Sequence, residues 1–211
     1  YCTKKLGTIM YKKGFTLVEF VMAVSIMVSI VFGVTSFARD VLVINTSATQ
    51  NLVAQSDARK ALKSIVAELR TAAPSSTGAY TIESASSTSV VFFADLDSDN
   101  RNERIRYYLD YPTKALKRGV VVPTGNPPAY VLGQETFTTL SSDLVISTTT
   151  PVFEYFDTNY AGTSSPLTYP IDVSLIRLVR VRLIIDKDPN RAPLEQVTTS
   201  EVTLRNLKDN L

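Results

Sequence analysis

The sequence predicts an α+β fold: one long N-terminal helix, membrane-spanning in its first half and amphipathic in its second, packed against an antiparallel β-sheet head. Three observations predict it. Residues 15–38 form a 24-residue stretch whose only ionisable side chain is Glu19. Further on, Leu62, Ile65, Val66 and Leu69 fall at helical spacing on one face. After Pro74 no helix-period segment recurs, and short β-branched and aromatic runs are separated by turn residues. The expected organisation is a basic leader at 1–14, an apolar half-helix at 15–38, an amphipathic half-helix at 39–73 and a β-rich head at 79–211.

Composition is that of an ordinary folded chain, with 45% of the 211 residues hydrophobic and 20% charged. The net charge of +2 hides an asymmetry. Lys4, Lys5, Lys12 and Lys13 precede Gly14 while every acid follows it, so beyond the leader the 22 basic residues fall to 18, against 20 acidic. A body of net −2 has no electrostatic attraction for nucleic acid or anionic membrane, and no nucleic-acid partner is expected for it. Cys2 is the single cysteine, which leaves no intrachain disulfide. Met10 is the first methionine and the expected start, with the residues before it set aside from the fold.

As a helix, residues 15–38 are about 36 Å long, enough to cross a hydrocarbon core of about 30 Å. Lys12 and Lys13 hold the N-terminal side in the cytoplasm, and Arg39 and Asp40 close the far end. Two plainer readings compete: a secretory signal peptide cut after Ser36-Phe37-Ala38, and a signal anchor with an incidental glutamate. The stretch is longer than an ordinary signal-peptide core, and an acid sits at its start. An ionised carboxylate at a bilayer centre costs about 3 kcal/mol on insertion scales, so intramembrane acids tend to be functional and partnered. Glu19 lies about one helical turn past Phe15. A cut after Gly14 would create an α-amino group on Phe15 at the same depth, which a neighbouring copy's Glu19 could neutralise.

Residues 41–49 are β-branched and polar, a weak helical stretch. Beyond it Arg59, Lys60, Lys63, Glu68 and Arg70 are expected on the exposed side. Pro74, followed by Ser75, Ser76 and Gly78, ends the helix near residue 72, at a total length of about 87 Å. Strands are expected at 88–94, 103–110, 116–122, 152–156, 175–185 and 197–207. In the second, Ile105, Tyr107 and Leu109 alternate with Arg104, Arg106 and Tyr108, so one of the two tyrosines belongs to the core. In the fifth, Val179, Val181, Leu183 and Ile185 share a face. Arg177, Arg180 and Arg182 read as a solvated strand face, with a binding face as the alternative.

Asp95, Asp97, Asp99 and Glu103 occupy positions one, three, five and nine of an EF-hand-like acidic loop. Oxygen ligands at alternate positions of a tight turn can converge on Ca²⁺. Asn100 stands where the loop glycine is usual, although Asn tolerates left-handed geometry, and Arg106 stands where a bidentate acid is wanted. The other reading is a solvated acidic hairpin turn, balanced by Arg101 and Arg104. Enzymatic function has little footing. Without histidine there is no Ser-His or Cys-His pair, and no glycine-rich phosphate loop is present.

The segment Lys12-Lys13-Gly14-Phe15-Thr16-Leu17-Val18-Glu19-Phe20 resembles the signal sequence of type IV prepilins and type II secretion pseudopilins. The resemblance implies cleavage by prepilin peptidase between Gly14 and Phe15, N-methylation of Phe15, and an assembly role for Glu19. Val91-Phe92-Phe93-Ala94-Asp95-Leu96-Asp97-Ser98-Asp99, then Glu103-Arg104-Ile105-Arg106-Tyr107-Tyr108-Leu109, is similar to J-type minor pseudopilins and W-type minor pilins, as is the ending Val202-Thr203-Leu204-Arg205-Asn206-Leu207. The segments quoted amount to 31 of the 211 residues. They imply a pilin-like fold and a minor subunit at or near a filament tip, in a bacterial inner membrane with the head extracytoplasmic. The implied partners are other pilins or pseudopilins and an inner-membrane assembly platform. The alternative from another class is a stand-alone membrane-anchored binding or adhesion protein.

Overall fold

The computed structural model describes residues 14–147, 149–186 and 195–204. The leader lysines, Cys2, Met10 and positions 205–207 of the last expected strand lie outside them. The chain divides into two compact units, one ending at Thr46 and one beginning at Ser47. Helix α1, Leu17–Arg70, contributes to both.

In the first unit the apolar sequence leaves α1 with no partner surface, and every described residue up to Thr46 is exposed. Phe20, Met27, Phe32 and Phe37 stand out on it, each well over half exposed. It is the one helix among the described residues long and apolar enough to cross a membrane. Its hydroxyls fold back on the helix: Ser25 Oγ donates to the Val21 carbonyl at 2.8 Å and Ser29 Oγ to the Ser25 carbonyl at 2.9 Å. Thr35 Oγ1 donates to the Phe32 carbonyl at 2.9 Å. Such back-bonding removes polar groups that would be costly in hydrocarbon.

In the second unit α1 buries Ala54, Ala58, Ala61, Leu62, Ile65 and Leu69. The steps of three and four residues place them on one face. Leu62, Ile65 and Leu69 are in the core as expected, with Val66 packed half-buried at its edge. Glu68 departs from the expected exposed position. Its carboxylate is half-buried, accepting from Tyr107 Oη at 2.6 Å and pairing with Arg118 Nη2 at 2.8 Å.

Among the described residues eight strands follow, every neighbouring pair antiparallel. The first sheet runs in sequence order: β1 (Ile82–Ala85), β2 (Ser89–Ala94), β3 (Glu103–Asp110), β4 (Ala115–Val121) and β5 (Thr136–Ser141). The second holds β6 (Phe153–Phe156), β7 (Leu178–Ile185) and β8 (Gln196–Thr203). One hydrophobic cluster joins the α1 face to Val90, Phe92, Ile105 and Tyr107 of the first sheet and Tyr155, Val179 and Val181 of the second. Strand β3 matches the expected span and alternates strictly, with Glu103, Ile105, Tyr107 and Leu109 inward. Strand β7 begins three residues later than expected, because Val173–Leu175 forms a 3₁₀ turn in which the Asp172 side chain caps the Ser174 N–H. The edge strands β1 and β5 were not expected from the sequence.

Arg180 does not lie on a plainly solvated face. It donates to Glu201 at 2.7 Å, Glu154 at 3.1 Å and Tyr160 at 2.5 Å, and its guanidinium stacks 4.6 Å from the Phe156 ring centre. Arg182 approaches Glu154 at 3.8 Å.

Candidate functional site

The N-terminal site is built around Gly14, Phe15 and Glu19. Gly14 lies in exposed, non-helical backbone, and a side chain added there would meet nothing within 4 Å. Phe15 is 87% exposed. Helix α1 then starts with a reciprocal cap. The Thr16 N–H and Oγ1 both donate to Glu19 Oε2 at 3.0 Å, and the Glu19 N–H reaches back to Thr16 Oγ1 at 3.3 Å. This is a capping box, in which Ser or Thr and a Glu three residues later satisfy N–H groups that the helix leaves open. The Thr-x-x-Glu spacing carries this local role, which the sequence reading missed. Along the chain, exposed non-helical backbone at Gly14 is followed by the exposed Phe15 and then by an acid within the first helical turn.

The second site is the β2–β3 connection. Carboxylate oxygens of Asp95, Asp97 and Asp99 lie within 4.8 Å of one another. Asp95 shapes the turn, accepting the Ser98 N–H on Oδ1 at 2.7 Å and the Asn100 N–H on Oδ2 at 3.1 Å. Asp99 Oδ1 accepts the Arg101 N–H at 2.7 Å. Ser98 and Asn100 are left-handed, at φ 64° and 65°, so Asn100 supplies the conformation for which glycine is the usual residue.

Glu103 stands apart from the trio. As the first inward residue of β3 it is only 2% exposed, and its Oε2 accepts the Leu96 N–H at 2.8 Å, between two of the aspartates. Among the described residues its Oε1 is buried with no hydrogen-bond partner. Burial pushes the Glu103 carboxyl above the usual carboxylate range; the Leu96 N–H opposes this, and the charges of Asp97 and Asp99 add to it. The sequence signal was available: the alternation of Ile105, Tyr107 and Leu109, carried back two residues, places Glu103 on the core face.

Of the arginines that follow this turn, Arg104 and Arg106 are engaged elsewhere. Arg104 Nε donates to Glu83 at 2.5 Å. Arg106 is bidentate on Glu135, at 2.9 and 2.7 Å, on the opposite face of β3 from Glu103. Arg101 is exposed. Outside contacts pin the loop's far end. The Asn102 N–H donates to Ser76 Oγ at 2.8 Å, its Nδ2 to the Pro74 carbonyl at 2.5 Å, and Tyr130 Oη donates to the Asn102 carbonyl at 2.6 Å.

Comparison with known proteins found no match among family models, curated proteins or solved structures.

Proposed function

We propose that this chain is a prepilin-like subunit. Prepilin peptidase cuts it between Gly14 and Phe15, and the new Phe15 amine is methylated. Residues 15–38 anchor it in a bacterial inner membrane with the head extracytoplasmic. An inner-membrane assembly platform then adds it, beside other pilins or pseudopilins, as a minor subunit at or near the tip of a type IV pilus or type II secretion pseudopilus.

The observation that carries this reading is the order of features over one turn of chain: an open Gly14–Phe15 bond, a capped helix start, and Glu19 at the head of an all-round apolar helix. A helix apolar on every side needs either lipid or other such helices around it. Both environments leave a charged Phe15 amine and Glu19 seeking partners, which side-by-side packing of processed chains supplies. A lone anchored receptor needs neither the cut nor the acid.

Mass spectrometry of the N-terminal peptide, from a host that carries prepilin peptidase, tests it. The expected species is a chain beginning at N-methyl-Phe15. A chain that begins at Arg39, or one that retains Lys12 and Lys13, overturns the reading.

A further inference from the structure

We propose that a cleft at the junction of the two sheets, rimmed by hydroxyls and by Tyr111 and Tyr169, is a binding site for a neutral saccharide. This stands on the head alone and does not depend on the filament reading.

The cleft has a volume of about 390 Å³, within the usual range of small-ligand pockets. Four segments converge on it: the β1–β2 turn, the end of β3, the β5–β6 connection and Tyr169 in the β6–β7 connection. Its wall is tied before any ligand arrives. The Ser87 carbonyl accepts the Val152 and Phe153 N–H groups at 2.9 and 3.1 Å, and the Thr88 carbonyl accepts the Leu109 N–H at 2.9 Å. Ser147 Oγ accepts the Thr149 and Thr150 N–H groups at 3.2 and 3.1 Å. Tyr169 is fixed as well, since its Oη donates to the Phe153 carbonyl and its ring meets Tyr155 edge-on at 6.4 Å. A ligand entering a site held in this way has little ordering to bring about.

The lining selects the ligand by exclusion and by fit. None of the described residues around the cleft is charged, so an ionic ligand would be desolvated without a counter-charge. The backbone groups of the wall already bond one another, which leaves an extended peptide no ladder to join. Among the described residues the hydroxyls of Ser87, Thr88, Thr150 and Tyr111 make no hydrogen bond, and so are open to a partner. A wholly apolar ligand would cover these hydroxyls without matching them. Beside them Leu109, Val145 and Val152 offer aliphatic surface, and Tyr111 and Tyr169 are 55% and 43% exposed. A pyranose ring has the same dual character, with hydroxyls around its edge and C–H groups on its faces. Tyrosine suits such a ligand because its ring packs while its hydroxyl bonds.

The test uses the full chain in a zwitterionic detergent, since a glycoside detergent would itself compete. Maltose, cellobiose, lactose and N,N′-diacetylchitobiose are each titrated into the tens of millimolar and followed by saturation-transfer NMR. At least one is expected to bind saturably. Tyr111→Ala is expected to weaken that sugar about three- to tenfold through lost stacking. Thr88→Val, which keeps the shape and removes a hydroxyl, is expected to weaken it about threefold. Tyr111 is more than half exposed and Thr88 is half-buried in a turn, so both variants should melt close to wild type. The uronic acid counterpart of the bound sugar, which adds one carboxylate, is expected to bind about tenfold more weakly or worse. Failure of all four sugars to bind saturably overturns the site. Binding that neither variant weakens overturns its place in this cleft, and equal binding of the uronic acid overturns the choice of a neutral ligand.

Discussion

Thr16 and Glu19 close on each other at the start of α1, and under the filament reading proposed above one carboxylate has two separable jobs. As a cap it needs only an oxygen that accepts hydrogen bonds; as the partner of a neighbour's amine it needs its charge. Glutamine serves a capping box as glutamate does. Glu19→Gln should therefore insert in the membrane with its helix start intact and fail to enter filaments, while Glu19→Val loses cap and charge together. Sheared filaments that contain the Gln variant at wild-type level would reduce Glu19 to a cap. Glu68 makes the opposite point about reading residues singly. Helical spacing puts it on the outer side of α1, yet its length lets it reach Tyr107 and Arg118, with Ser64 Oγ donating from the previous turn at 3.3 Å. Glu68→Ala strands a buried phenol and a guanidinium together, and should cost about 2–3 kcal/mol in urea unfolding of the full chain.

At the scale of elements, legibility followed how much pattern each segment carries. Strand β3 could be read to the residue because four inward positions alternate with polar ones. Strands β1 and β5 could not. Ile82-Glu83-Ser84-Ala85 and Thr136-Phe137-Thr138-Thr139-Leu140-Ser141 are short or largely polar, and both sit at sheet edges, where one side is not packed by a neighbouring strand. An edge strand with a solvated face has little need of alternation. The acidic turn was found as a cluster, but Glu103's separation from the trio follows from the phase of β3 rather than from the turn's own spacing. Helix α1 was legible where Leu and Ile mark its face, and silent at Ala54, Ala58 and Ala61, since alanine is at home on either side of a helix. Ile65 is fully enclosed against both sheets' shared core, so Ile65→Ala should lower stability by about 3 kcal/mol, while Lys63→Ala on the solvent side should change it by less than about 0.5 kcal/mol. Comparable losses for the two would mean that this face of α1 is not packed.

For the molecule as a whole, three phenols act as donors that hold separate parts together. Tyr107 donates from β3 to Glu68 of α1, Tyr155 from β6 to the Ser86 and Ser89 carbonyls at 3.1 and 3.0 Å beside the first sheet, and Tyr169 to the Phe153 carbonyl. Burial raises all three above the ordinary tyrosine value, Tyr169 to about 12. The unfolded chain releases these protons near pH 10 while the folded chain keeps them. Their contribution is complete below that pH and falls as pH rises toward the folded values. The urea midpoint should hold steady to about pH 10 and then drop, and Tyr155→Phe should shallow the drop; a midpoint indifferent to alkali would refute these donor roles. The back-bonded hydroxyls of the apolar stretch have a different kind of consequence. Between Phe20 and Val34 the two hydroxyls, on Ser25 and Ser29, are turned inward, so the flank of the rod is smooth hydrocarbon. Such a rod carries few polar marks along its length. Slid past a like rod by one turn, it trades one aliphatic contact for another. In the filament proposed above, the axial step would be set by the one charged mark on this stretch, the carboxylate of Glu19. On that proposal, shuffling the aliphatic residues beyond Phe20 should leave the step alone, whereas moving the acid by a turn should move it.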